Sequence, residues 1–157
     1  LKDFGRSSGG NDIHEVIGYN FKFTDIQAVI GIEQMKKLQW RVDKKKQILK
    51  LYKHNLKSID QINFFKQDLI NTTPWFVDSM VAERDGLMGY LKDNNIGTRI
   101  MYPPINKQLA YNLKGNHRVS NLIGEKGLWL PSSSQLSKKD ISYICEKIKY
   151  YYTRRTL

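Results

Sequence analysis

The sequence predicts an α+β fold: a long helical lead-in, followed by a three-stranded sheet with helices on one side. Three observations carry that reading. The first third holds two stretches with helical apolar spacing, and three later runs are short and rich in aromatic and β-branched residues. The chain then closes on an amphipathic helix with its own capping pair.

Residues 1–23 read as loop, with Gly5, Gly9 and Gly10 set among Ser7, Ser8, Asn11 and Asp12. Thr24 and Gln27 then form a capping-box pattern, in which a hydroxyl and an amide satisfy backbone groups left open by the first turn. A helix is expected from there to about Leu38, with Ile26, Val29 and Ile30 on one face. Gly31 inside it lowers helix propensity, so a close backbone neighbour is expected there. Met35 and Leu38 read as core or interface. A second helix follows, its face marked by Val42, Leu49, Tyr52 and Leu56. Residues 24–57 are thus linking helices, and 58–157 form the α+β domain.

Within that domain, residues 75–83 predict a strand and residues 84–94 a short helix carrying Leu87, Tyr90 and Leu91. Residues 98–102 predict a second strand, ended by Pro103 and Pro104. Short helices are expected over 107–112 and 119–126, with a third strand at 128–131 in which Trp129 reads as packing. Ser137 and Asp140 cap the last helix, whose apolar face is Ile141, Ile144, Cys145, Ile148 and Tyr152.

Composition narrows the function. The 157 residues suit one domain, and the 40% hydrophobic content suits a globular one. No apolar run approaches the roughly 18 residues of a membrane span, and no signal peptide pattern is visible. The single cysteine excludes a disulfide framework, and the three histidines have no metal-binding spacing. A cytoplasmic protein without a metal is expected. The first residue is Leu1, in mid-loop, which suggests a piece of a longer protein. The net charge of +11 points to an anionic partner, but the lysines are scattered and no nucleic-acid signature accompanies them.

The catalytic inventory is thin: there is no P-loop, no GxGxxG and no Gly-x-Ser-x-Gly elbow. Anion-binding groups are present. Asn20 and Lys22 precede the Thr24 helix, where open N–H groups and the dipole favour phosphate. Spacing alone reads them equally well as a turn residue and a surface charge. Arg6 and Arg99 could each grip a diphosphate or be solvated cations. Tyr102, Pro103, Pro104 and Asn106 make a rigid turn that presents a phenol and an amide suited to sugar hydroxyls; Tyr102 could equally be a core aromatic.

"GYNFKFTDIQAVIGIEQMKKL" resembles the signature of the DegT-type nucleotide-sugar aminotransferases, which depend on pyridoxal phosphate. The likeness continues in order through "GRSSGGND" ahead of it, then "NNIGTRIMYPPINKQLAY" and "GLWLPSSSQLSKKDISYICEKIKYYY", and covers nearly the whole chain. It implies the small C-terminal domain of a fold-type-I aminotransferase. The Schiff-base lysine would lie in an upstream domain, so no catalytic residue is expected in this chain and no transamination by it alone. The resemblance implies that Asn20 reaches the cofactor phosphate of the neighbouring subunit of a homodimer, with Lys22 helping. It implies that Arg6 and Arg99 contact a nucleotide-diphosphate sugar, and that Tyr102 and Asn106 face the sugar. Many relatives have histidine where this chain has Asn106. The implied reaction moves an amino group from glutamate to a nucleotide-linked keto-deoxysugar, at C4 as in perosamine-synthase-like enzymes. Two rivals stand beside it: a pyridoxal-phosphate sugar 3-dehydratase of the same superfamily, and a non-catalytic basic binding module.

Overall fold

The computed structural model describes residues 14–111, 113 and 115–154. Arg6 and the glycine-serine loop around it lie outside the described residues, as does Asn112, the expected end of a short helix. The chain divides into two compact units, Leu1–Gln39 and Trp40–Leu157.

In the first unit, α1 spans Asp25–Lys36. The expected capping box forms: the Gln27 N–H donates to Thr24 Oγ1 at 3.3 Å, and the Thr24 N–H donates to Gln27 Oε1 at 2.9 Å. Asp25 in the first turn and Lys36 in the last complement the helix dipole. The helix ends two residues earlier than the sequence suggests, where the Lys37 N–H closes on the carbonyls of Gln34 and Met35. α2 begins at Leu38 and runs to Asn55. α1 buries none of its residues, Met35 being 66% exposed, and Leu38 at the start of α2 is 47% exposed, so neither is a core position here. A Cβ built on Gly31 meets nothing within 4 Å, so the expected close backbone neighbour is not found among the described residues.

The second unit is built around an antiparallel sheet. Its strands are β1 (Ile62–Phe64), β2 (Val77–Val81), β3 (Arg99–Ile100) and β4 (Gly127–Leu130), in the order β1-β2-β4-β3. The sheet therefore has four strands where the sequence predicts three. β1 is three residues long, with Asn63 between two apolar residues, and so short an alternation gives little periodicity to read. On β2 the burial alternates strictly: Val77, Ser79 and Val81 face the core, while Asp78 and Met80 face the other way.

One face of the sheet is covered by α2, α3 (Arg84–Asp93) and α5 (Lys138–Arg154). Ile48, Leu49 and Tyr52 of α2 are buried with Leu87 and Leu91 of α3 and Ile141, Ile144, Cys145 and Ile148 of α5. These positions recur three and four apart, the spacing that puts an apolar stripe on one side of a helix. Val77, Val81, Leu128 and Leu130 meet them from the sheet. Ser79, the buried polar residue of this face, donates its hydroxyl to the Leu128 carbonyl at 2.8 Å, which removes the cost of burying it. α5 starts on the expected pair: the Ser137 N–H donates to Asp140 Oδ2 at 2.7 Å, and the Asp140 N–H donates to Ser137 Oγ at 3.2 Å.

The remaining chain shapes the opposite face. Two 3-10 turns, Ile105–Lys107 and Leu109–Tyr111, replace the single helix expected after Pro104. α4 (Arg118–Lys126) then leads straight into β4. Gly124 on α4 lies so close to the Pro104 ring that a Cβ there would sit 2.5 Å from Pro104 Cδ. Only glycine permits that approach.

Candidate functional site

The face of the sheet turned away from the core carries a row of three residues. Asp78 on β2 pairs with Trp129 on β4, and Trp129 pairs with Arg99 on β3. Strand geometry places all three on one side of the sheet, because each is the direct cross-strand partner of the next. The Trp129 indole N–H donates to Asp78 Oδ1 at 2.7 Å, and the Gln67 amide donates to Asp78 Oδ2 at 3.0 Å.

Aromatic rings close around the indole. Phe76 stacks on Trp129 with centroids 4.1 Å apart and planes 14° from parallel. Tyr102 meets Trp129 edge-on at 4.9 Å and 87°. The Arg99 guanidinium carbon lies 5.5 Å from the Tyr102 ring centre and 5.6 Å from that of Trp129. Trp129 itself is only 6% exposed, while Tyr102 is 64% exposed and Arg99 is open to solvent. The platform is thus buried beneath and wet above. A cavity of about 250 Å³ opens beside it, lined by Phe76, Thr98, Arg99, Trp129 and Ser132 among others.

The turn after β3 is fixed from below. The Asn106 amide donates to Asn121 Oδ1 on α4 at 2.9 Å, and Gly124 admits the Pro104 ring. Asn106 is half-buried and its donor is engaged with α4, so in this structure it holds the turn, while Tyr102 presents its phenol to solvent. Next to the cavity-lining Ser132, Lys45 of α2 donates to the carbonyls of Trp75 and Ser132, each at 2.7 Å. Partial burial pulls its pKa below the usual lysine value.

The first unit holds the other candidate group. Asn20 Oδ1 accepts the Lys22 N–H at 3.3 Å, which is the Asx-turn geometry of a turn residue. With that oxygen engaged, the remaining hydrogen-bonding group of the side chain is the Nδ2 amide, a donor. Asn20 and Lys22 are both exposed, and Tyr19 stacks on Phe21 at 5.5 Å to stiffen the loop that carries them. The site residues expected from the sequence therefore fall into two groups. Arg99 and Tyr102 share one platform with Asn106 beneath their turn, Asn20 and Lys22 share one loop, and Arg6 lies outside the described residues.

Sequence reading missed Phe76, Asp78 and Gln67, and took Trp129 as packing. One signal was available: an aspartate in the middle of "VDSMV" is disfavoured in a strand unless its outward neighbours need a carboxylate. Among the described residues no cluster of His, Cys, Asp and Glu could hold a metal, and no helix is long and apolar enough to cross a membrane.

These features define a class: a small α+β unit that offers a guanidinium and aromatic edges on an open sheet face. A family model described as the DegT/DnrJ/EryC1/StrS aminotransferase family matches residues 1–149, and the chain belongs to that family. The chain is 33% identical over 144 residues to GDP-perosamine synthase of Escherichia coli O157:H7, covering 89% of this chain and 39% of that protein. It is 28% identical over 163 residues to GDP-perosamine synthase of Vibrio cholerae, covering 97% of this chain and 44% of that protein. Among solved structures, a DegT DnrJ EryC1 StrS aminotransferase from Brucella abortus superposes with a TM-score of 0.81 at 25% identity, covering 96% of this chain and 41% of that one. The chain spans about two fifths of the length of these relatives.

Proposed function

We propose that this chain serves as the C-terminal part of a pyridoxal-phosphate-dependent enzyme that transfers an amino group from glutamate to the C4 keto group of a nucleotide-linked deoxysugar. The observation that carries the reading is the family match over residues 1–149, together with the two perosamine synthases among its relatives. The Arg99 platform supports it. A planar guanidinium held at an open cavity suits the bidentate geometry of a diphosphate, and the Tyr102 phenol suits a sugar hydroxyl.

The described residues fit the phosphate end of the cofactor. Asn20 contributes an amide donor and Lys22 an ammonium, both exposed just ahead of the N-terminus of α1. The capping box satisfies the Gln27 N–H there, and the side chains of Asn20 and Lys22 would supply what the terminus itself does not. When bound, pyridoxal phosphate supplies the electron sink for amino transfer. The lysine that would anchor it belongs to an upstream domain in this reading, so the chain alone is inactive. In the assembled homodimer Asn20 serves the neighbouring subunit.

The test joins the chain to an upstream large domain and measures cofactor retained after dialysis, by absorbance. Asn20→Ala is expected to lower retention at least about tenfold, the scale of losing one charge-assisted phosphate contact. Unchanged retention would remove Asn20 from the phosphate site.

A further inference from the structure

We infer that Asp78 is a positioning residue for substrate binding: it fixes the orientation of Trp129, and through Trp129 the guanidinium of Arg99. The inference rests on the reading of Arg99 as a diphosphate contact. It adds two residues, Asp78 and Trp129, that the motif resemblance leaves without a role.

The row is ordered by hydrogen bonding at one end and by ring contacts at the other. The indole is wedged between the Phe76 stack and the Tyr102 edge, so its plane is set by packing. Flipping the indole in that slot would exchange the places of its pyrrole and benzo rings and carry Nε1 away from Asp78. The bond from Nε1 to Asp78 Oδ1 at 2.7 Å therefore adds to packing in selecting the observed orientation. The chosen orientation is the one on which Arg99 rests, between the Trp129 and Tyr102 rings.

The chemistry of Asp78 fits that task. Both its carboxylate oxygens accept from neutral donors, Trp129 Nε1 and Gln67 Nε2, and among the described residues it takes part in no ion pair. Arg99 lies two strands away, roughly 10 Å at ordinary strand spacing. At that separation the carboxylate does not tie down the guanidinium, which stays available to an anion. A direct Asp–Arg pair would have consumed the cation. Gln67 supports the carboxylate from behind, and its Oε1 is buried without a hydrogen-bond partner. Asp78→Asn can therefore keep the indole bond through Oδ1 and donate its new amide to that oxygen once the Gln67 amide turns over.

The test uses isotope-labelled 157-residue chain and two readouts. The first is NMR without ligand: the Trp129 indole proton and the ring-current-shifted Arg99 side-chain protons, with core methyl signals of Leu128 and Ile148 reporting the fold. Asp78→Ala is expected to move the Trp129 and Arg99 signals toward unstructured values with the core signals in place, and Asp78→Asn to restore both. The second is affinity for GDP and for inorganic pyrophosphate. Asp78→Ala is expected to weaken it about three- to fivefold, the size of an exposed cation–π contact, with no further loss when added to Arg99→Ala. Arg99 signals unmoved by Asp78→Ala, or an equal loss of affinity in the Arg99→Ala background, would overturn the inference. If Arg99→Ala leaves affinity unchanged while Asp78→Ala still moves the Arg99 signals, the positioning stands and the diphosphate reading falls.

Discussion

Lys45 Nζ donates to the Ser132 carbonyl at 2.7 Å, and the same ammonium donates to the Trp75 carbonyl at the same distance. One side chain of α2 thereby holds both the segment entering β2 and the segment leaving β4. Those segments flank the cavity in which Arg99 and Trp129 stand. Lys45, one of the scattered lysines behind the net positive charge, is thus a structural tie.

Lys45→Met should remove three hydrogen bonds while keeping the aliphatic stem packed. The expected loss is about 1 kcal/mol, since charged hydrogen bonds at a partly exposed site are discounted by solvent. Lys44→Met, the control, should stay within about 0.5 kcal/mol. Urea denaturation of the three proteins decides the matter, and equal midpoints would mean that the tie carries no stability.

Gly124→Ala places a methyl 2.5 Å from Pro104 Cδ and 2.6 Å from Cγ. Alanine would otherwise gain about 1 kcal/mol in a helix. A rigid pyrrolidine ring cannot step aside as a flexible side chain would, so overpacking of about 1–3 kcal/mol should win. A lower melting temperature is expected, along with a shifted Tyr102 side chain in the NMR spectrum. A stabilised variant with Tyr102 unmoved would show that the turn is not braced by α4.

Much of this architecture was legible in advance, and for identifiable reasons. The capping pairs Thr24–Gln27 and Ser137–Asp140 form as read, because they depend on residues three apart and on nothing distant. The α5 face of Ile141, Ile144, Cys145 and Ile148 follows from helical period alone. β1 escaped because three residues give no period, and its pairing with β2 joins residues 15 to 19 positions apart. The Asp78–Trp129–Arg99 row escaped for a related reason: it is a property of strand register, which local pattern does not encode. Arg99 and Tyr102 were singled out by motif, and the structure adds the floor on which they rest.

Burial raises the Cys145 thiol to about 11 and pushes the phenols of Tyr52 and Tyr152 well above their usual value. Each is neutral in the folded core and ionises more easily once unfolded. The stability they contribute is fully present below their unfolded values, about 8.5 for cysteine and 10 for tyrosine. It is lost as pH rises toward the folded values. The denaturation midpoint should therefore fall steadily from about pH 8.5 upward. Tyr52→Phe should flatten that decline even though it forfeits the bond to the Pro131 carbonyl. An alkaline limb as steep as wild type's would exclude Tyr52 as a cause.

The Asp140 carboxyl is held below the usual carboxylate value, first by the Ser137 hydroxyl and then by the Ser137 N–H. Its contribution is present above about pH 4, the unfolded value, and is lost as pH falls through the folded one. Asp140→Asn should make the stability less dependent on pH below about 4, with fraying confined to the first turn of α5 in hydrogen exchange. An unaltered acid profile would show that the cap does not couple to folding.

The most direct measurement follows nitrogen. The chain, alone and joined to an upstream domain that carries a Schiff-base lysine, is incubated with pyridoxal phosphate, ¹⁵N-glutamate and a GDP-linked 4-keto deoxysugar, and the sugar nucleotide is weighed by mass spectrometry. The expected result is one ¹⁵N atom on the sugar with the joined protein, a loss of most of that product with Arg99→Ala, and none with the chain alone. A dehydrated sugar carrying no label from the joined protein, or label delivered by the 157 residues by themselves, would contradict the account.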